Sequence, residues 1–312
     1  MPKVSVVIPT LNRPEIVQVA IRSVLNQTYR DLDLLVVVDG PDAATVNSLQ
    51  GIADPRMRVI VNEENVGLAE ARNVGVRHSD AEWVAFLDDD DEWLLEKLEK
   101  QVAEAERLGG THVFVPTRFI EKTESLERIL PEVLPTTTHR FSEYMYCQRG
   151  FLLPSSFFAS RRLLLEAPFT RGLRHMEDID WLLRATAHPA TQISVVPEPM
   201  VIYNDPNVPN RESKNVPWTV WLNWVVANRS LLTPRAFSLY ISKHCVRAAK
   251  EGKEPFRVFC HLFLTALVLG SMTFACLTSF LAWGLFPAAF RRKVRRIFSV
   301  QARRSTRIAN AG

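Results

Sequence analysis

Four consecutive carboxylates, Asp88-Asp89-Asp90-Asp91, follow the apolar run Trp83-Val84-Ala85-Phe86-Leu87. Like charges this close are stable only when solvated, protonated or neutralised by a cation. A divalent ion held by oxygen ligands, together with a diphosphate, would supply that neutralisation. The plainer alternative is a solvated helix start, where acids suit the positive end of the helix dipole. A second group, Glu177-Asp178-Ile179-Asp180-Trp181, sets three acids within four residues at an expected helix start, with Asp178 placed as N-cap. The same carboxylate, ionised in a pocket and aimed at a hydroxyl, would be a general base. Asp39 ends the run Val36-Val37-Val38-Asp39-Gly40 and reads either as an Asx turn or as an acceptor for a base or ribose. The segment 65–75 brings small residues to a helix start and one cation, Arg72, able to reach a phosphate.

These groups need a scaffold, and the first half of the chain alternates β-branched runs with helical stretches, the pattern of strand–helix–strand units and a parallel sheet. Strands are expected over 4–8, 34–38, 58–61 and 83–87, with helices over 15–26, 43–50, 68–78 and 92–108. In open sheets of this kind ligands collect at the carboxyl ends of the strands. Standing there are Pro9-Thr10, Asp39-Gly40, Asn62-Glu63-Glu64-Asn65 and Asp88–Asp91, so three of four strand ends are acidic. Beyond residue 112 the pattern is mixed, with a loop at 150–156, a helix over 178–187 and short strands over 193–196 and 201–203. The glycines of 65–75 do not form GxGxxG and the chain has no GxxxxGK[ST], so hydride-transfer and P-loop chemistry lose their usual markers.

The 312 residues have ordinary globular composition, 47% hydrophobic and 23% charged, which excludes a disordered or wholly membrane-embedded chain. The net charge of +4 is unevenly spread: nothing after Glu254 is acidic, and nine Lys and Arg follow it. An acidic body suits a cation site, and a basic tail suits an anionic surface. Cys147, Cys245, Cys260 and Cys276 show neither CxxC pairing nor regular spacing, so a reducing compartment is expected, with no zinc site or disulfide framework. Lys3 leads directly into the first strand, without the apolar core of a signal peptide.

Taken in order, Val4-Ser5-Val6-Val7-Ile8-Pro9-Thr10-Leu11-Asn12-Arg13, Val38-Asp39-Gly40, Asn65-x-Gly67 with Ala71-Arg72-Asn73-x-Gly75, Phe86–Asp91-x-Trp93 and Glu177-Asp178-x-Asp180 resemble the successive motifs of family 2 glycosyltransferases over about residues 3–203. The resemblance implies a GT-A fold: an α/β domain with a mostly parallel central sheet, flanking helices and a C-terminal helical region. It implies a nucleotide-sugar donor, a divalent metal (Mn2+ or Mg2+) and inversion at the anomeric carbon. Pro9, Thr10 and Asp39 would then hold the nucleoside, with Gly67 and Asp89 also on the donor side and Arg72 near the diphosphate. Asp88 and Asp90 match the ends of the family's DxD motif, Asp90 as the direct metal ligand. Asp178 would be the base and Glu177 would orient it. Val38 and Pro41 depart from the family's frequent Asp-Asp-Gly-Ser, and no Gln-x-x-Arg-Trp follows Glu177-Asp178, which favours addition of a single sugar over processive synthesis.

The expected organisation is a catalytic domain over 1–204, a linker over 205–217 and a helical, apolar and basic region over 218–312. Residues 258–290 carry no charge except at His261, long enough for one bilayer span. A single span with the basic cluster 291–296 in the cytosol would put the catalytic body outside, away from nucleotide sugars. Two spans joined near Gly270-Ser271 would be short, so packed helices resting on an anionic membrane, with Trp283 and the basic cluster against it, are expected, next to an ordinary helical subdomain. The resulting expectation is a cytoplasmic, peripheral enzyme using a glycan or lipid-linked acceptor and no nucleic acid. A catalytically silent nucleotide-sugar-binding or scaffold protein is the alternative; a nucleotidyltransferase lacks its Gly-rich basic loop after the first strand.

Overall fold

In the computed structural model, described over residues 3–123, 126–135, 140–148, 150–204 and 216–285, the first strand, β1 (Val4–Thr10), is buried along its whole length. It lies between two parallel neighbours, so its residues are buried on both faces, and Ser5, polar within the run, donates to Asp33 Oδ1 on β2. The chain continues through α1 (Ile16–Leu25), β2 (Leu32–Val38), α2 (Ala43–Leu49), β3 (Met57–Val61), α3 (Leu68–His78) and β4 (Trp83–Phe86). The pairs β1–β2, β1–β4 and β2–β3 are all parallel, as the alternating pattern predicts. Helix α3 lies tight on β1: a Cβ at Gly75 would meet Val7 Cγ1 at 2.4 Å.

After β4 the topology departs from simple alternation. The expected helix over 92–108 starts only at Lys97: β5 (Glu92–Trp93) precedes α4 (Lys97–Leu108) and pairs antiparallel with β11 (Val196–Asn204). Between them the chain forms β6 (Val113–Phe114), β7 (Thr117–Lys122), β8 (Glu127–Leu130), α5 (Phe141–Cys147), β9 (Phe158–Ser160), α6 (Arg161–Glu166), α7 (Glu177–Ala187) and β10 (Gln192–Ile193). The main sheet has the order β10-β6-β9-β4-β1-β2-β3, and a second, smaller sheet has the order β5-β11-β7-β8. Strand β9 runs antiparallel to both β4 and β6, so the main sheet is mostly, not wholly, parallel. The expected strand over 201–203 is the end of β11, and that over 193–196 is divided between β10 and β11.

The contacts divide the chain into two compact units, 1–211 and 212–312. The second contains α8 (Trp218–Ala227), α9 (Pro234–Tyr240), α10 (Val246–Glu251), α11 (Phe256–Leu269) and α12 (Phe274–Leu285), with one wider π-type turn, Ile241–Cys245, between α9 and α10. Helices α11 and α12 are parted at residues 270–273, where a turn is expected from Gly270-Ser271. Among the described residues no helix is long and apolar enough to cross a membrane. Most of the expected linker, the side chain of Trp283 and the basic cluster 291–296 lie outside the described residues.

Candidate active site

The carboxyl ends of β1, β2 and β4 bring Thr10, Asp39 and residues 88–91 to one edge of the sheet. Of the four adjacent acids, Asp89 and Asp91 are buried, while the side chains of Asp88 and Asp90 are 25% and 31% exposed. The run is therefore not a solvated helix start. Asp89 accepts from Thr10 Oγ1 and from the Arg13 guanidinium, each at 2.7 Å. Arg13 also reaches Asp90 Oδ2 at 3.2 Å. Burial still raises the Asp89 carboxyl to about 6, against the lowering pull of Arg13. From the other side Ser155 donates to Asp91, and the Asp88 N–H donates to Ser155 Oγ at 3.1 Å. Trp93 Nε1 fixes that segment by donating to the Ser155 carbonyl at 2.7 Å.

Arg72, on α3, is fully buried. One arm donates to Asp88 Oδ1 at 2.7 Å and the other to Glu177 Oε1 at 3.3 Å, while the guanidinium carbon lies 5.4 Å from the centre of the Phe169 ring. It thus joins the loop after β4 to the start of α7, rather than facing an open phosphate surface. Helix α7 begins at Glu177 after Met176, whose φ of 64° turns the chain in; Asp178 is one residue inside the helix and is not its N-cap.

The three acids of α7 have different partners. Glu177 faces Arg72, and Asp180 is buried against Thr170 Oγ1 at 2.6 Å and Arg184 Nε at 2.8 Å. Asp178 accepts only the Ile179 N–H among the described residues and makes no ion pair. Burial and the adjacent Glu177 charge raise its carboxyl to about 7, with Arg72 opposing.

Asp39 does not form the Asx turn; its carboxylate is held by donors from the loop after β3. Its Oδ1 accepts from Asn62 Nδ2 and the Val66 N–H, and its Oδ2 from the Gly67 N–H, at 2.9–3.0 Å. The carboxylate shapes the loop that enters α3, and Gly67, at φ 87°, makes the turn that presents its N–H. A cavity of about 120 Å³ opens beside it, lined by Asn65, Val66, Gly67, Ala69, Gly172, Leu173 and Arg174. Pro9 is the next-to-last residue of β1, beside Thr10.

The structure thus gathers Thr10, Arg72, Asp88, Asp89, Asp90 and Glu177 around the loop after β4, sets Asp178 within reach of their charges but bonded to the Ile179 N–H alone among the described residues, and leaves Asp39 and Gly67 in a neighbouring loop. Arg13 and Ser155 join it without having been singled out. Arg13 is signalled only by following the Pro9-Thr10 strand end, and Ser155 by no local pattern. Asp88 and Asp90 suit a hard divalent ion by donor type and exposure. A separate group, His112, Glu166 and His188, brings its ligand-type atoms within 4.8 Å of one another at the start of β6, the opposite edge of the sheet. There Ala190 N–H donates to His188 Nδ1, which leaves Nε2 as the protonated nitrogen facing Glu166, while Arg162 holds the other carboxylate oxygen.

Comparison with known proteins places this arrangement. An amylovoran biosynthesis glycosyltransferase, AmsB of Erwinia amylovora, is 26% identical over 262 residues, covering 80% of this chain and 86% of that protein. The UDP-Glc:alpha-D-GlcNAc-diphosphoundecaprenol beta-1,3-glucosyltransferase WfgD of Escherichia coli is 36% identical over 100 residues, 32% of this chain and 40% of that protein, so the match spans less than half of WfgD. Residues 1–349 of S. aureus TarS, solved with UDP-GlcNAc, share the fold at a TM-score of 0.57 and 15% identity, over 93% of this chain and 92% of that one. The fold is GT-A. The family model for glycosyl transferase family 2 matches residues 5–166, and this chain, a glycosyltransferase, belongs to that family.

Proposed function

We propose that the enzyme moves a single sugar from a nucleotide-sugar donor to a hydroxyl of a glycan or lipid-linked acceptor, with inversion at the anomeric carbon. One observation carries this reading: of three acids at the start of α7, only Asp178 is not spent on a cation, and its carboxyl is raised to about 7. A base that titrates near the working pH is matched to taking a proton from a hydroxyl. Asp178 takes that proton as the acceptor oxygen attacks the anomeric carbon and the nucleoside diphosphate leaves from the opposite face. Glu177, held by Arg72, fixes the first turn of α7 and so the direction of Asp178. Asp88 and Asp90 would hold a divalent Mn2+ or Mg2+, which supplies charge neutralisation for the departing diphosphate when bound. Arg13, with a side chain 39% exposed beside Asp89 and Asp90, is the accessible cation of the loop and assists there.

Pro9, Thr10 and the loop that Asp39 builds at 62–67 form the nucleoside side of the site, beside the cavity lined by Gly67. Residues 1–204 form the catalytic domain, 205–217 the linker and 218–312 the region that meets a membrane. The acceptor class follows WfgD, whose name gives a diphosphoundecaprenol-linked substrate. An acceptor carried on lipid is met at the cytoplasmic face of a bilayer, where nucleotide sugars are made and where the basic residues after Glu254 suit anionic headgroups. The test is a panel of nucleotide sugars with Mn2+ or Mg2+ and a polyprenyl-diphosphate sugar acceptor. Release of nucleoside diphosphate from one donor, with a β-linked or otherwise inverted product, is expected; a retained configuration or no release from any donor refutes the reading.

A further inference from the structure

The helix pair α11–α12 has two unlike faces. Inside, Leu262, Ala266, Cys276 and Phe280 are buried, and the Phe263 and Phe280 rings meet edge to face at 5.4 Å. The turn between the helices is pinned to α9: Ser238 Oγ donates to the Ala266 carbonyl at 2.8 Å and accepts the Ser271 N–H at 2.9 Å. A Cβ at Gly270 would meet Ser238 Oγ at 2.1 Å, so the turn sits directly on that helix. Outside, Phe256, Val268 and Phe274 are 80%, 73% and 82% exposed, with Leu264, Leu267 and Leu281 also on the surface. Six large apolar side chains thus stand at the surface of one helix pair, and apolar patches on a folded monomer mark interaction sites.

We propose that this outer face inserts shallowly into the hydrocarbon boundary of an anionic bilayer, so that the enzyme is held by apolar burial first and by charge second. Three observations select lipid as the occupant. The sequence after Glu254 has no acid and nine Arg and Lys, beginning with Arg257 in the first turn of α11, a charge pattern complementary to anionic headgroups. Hydroxyls on the pair turn back onto their own helices, Thr265 Oγ1 to the His261 carbonyl at 2.9 Å and Thr278 Oγ1 to the Ala275 carbonyl at 3.1 Å, which lowers the cost of leaving water. A cleft of about 730 Å³, lined by Phe256, Phe259, Phe263, Phe280 and Leu281 with Glu254 as its one charged lining residue, opens on this face and suits an acyl chain drawn from the leaflet. Over the described residues the helices run 14 and 12 residues, about 21 and 18 Å, shorter than a core of about 30 Å and suited to lying in the interface.

The proposal deepens the lipid-linked acceptor reading above and is tested apart from it. The full chain is sedimented with vesicles of phosphatidylethanolamine and phosphatidylglycerol, beside the variant Phe256→Ser/Val268→Ser/Phe274→Ser. The wild type should stay with the vesicles at about 1 M NaCl, where charge attraction is screened, and the variant should partition about tenfold less or worse. Release of nucleoside diphosphate from a soluble donor should be equal in both, so failure of the catalytic reading shows in that assay alone. Should the variant not fold, lipids bearing a photoreactive group in the acyl chain decide the matter on the wild type, with label expected within residues 256–285. Release by salt alone, unaltered sedimentation of a folded variant, or label confined to other residues would overturn the proposal. A self-associating wild type that ignores vesicles would do so too, and would assign the face to a second copy.

Discussion

Residues 88–91 and residues 177–180 both crowd carboxylates at one edge of the sheet, and the protein accommodates them by different means. On the loop after β4, adjacent acids cannot diverge far, so each is met from elsewhere: Arg72 at Asp88, Thr10 and Arg13 at Asp89, Arg13 at Asp90 and Ser155 at Asp91. On α7 a rotation of about 100° per residue points the three acids in different directions. Two find cations and the third, Asp178, does not. Crowding on a loop is relieved by borrowed charge, which a bound ion can replace or join. Crowding on a helix is relieved by geometry, which can isolate one acid and raise its carboxyl.

The comparison breaks most severely at Asp90. Replacing Asp90 by Ala removes one end of the oxygen donor pair, and sugar transfer should drop to background while the melting temperature holds. Binding of the donor should lose its dependence on Mn2+ or Mg2+, read by titration with and without chelator; persistent metal-dependent turnover would remove the ion from residues 88–90. Next in size is Asp178→Asn, which keeps shape and loses basicity. Transfer should fall by roughly 10²–10⁴-fold with donor affinity unchanged, and an Asn variant of full activity would place the base elsewhere.

Asp180→Asn sharpens the contrast from the other side, because Asp180 is spent on Arg184 and Thr170. Its loss should cost about 1–3 kcal/mol of stability, measured by denaturant unfolding, with turnover per folded molecule little changed. A selective loss of turnover at full stability would make Asp180 the reacting acid. The smallest effect is in pH. A raised carboxyl is protonated, and inactive as a base, below its titration point, so kcat/KM should rise with pH through about 7 and level off above it. On the falling side the limb approaches about tenfold per pH unit, and it should vanish from the residual activity of Asp178→Asn.

Local pattern made part of this visible. Strands β1 and β2 and helices α2 and α3 are legible because period-2 or continuous apolar runs alternate with amphipathic ones, and because each neighbour in the sheet is near in sequence. The segment 92–96 misleads because Glu92 and Trp93 have their pairing partners, Ile202 and Val201, over a hundred residues away. Distance in sequence hides the charge partners too. Nothing around Arg72 announces Glu177, so the guanidinium reads as a free phosphate ligand until the fold buries it. Asp39 looks like a turn former because the donors that claim it lie at 62–67, after another strand and helix.

The buried guanidinium of Arg72 also decides where this protein can be cut. Its ring neighbour Phe169 and its second carboxylate Glu177 both lie past residue 166, where the match to the family model stops. A fragment trimmed to that boundary would keep an interior cation and discard half of what compensates it. It would also lose β11, which pairs with both β5 and β7. Breaking an interior ion pair from one side costs about 3–5 kcal/mol, a large part of the stability of most domains. Trimming at residue 166 should therefore destabilise the fragment, and shuffling between relatives should place its crossover beyond β11 and not at the edge of the recognisable motifs.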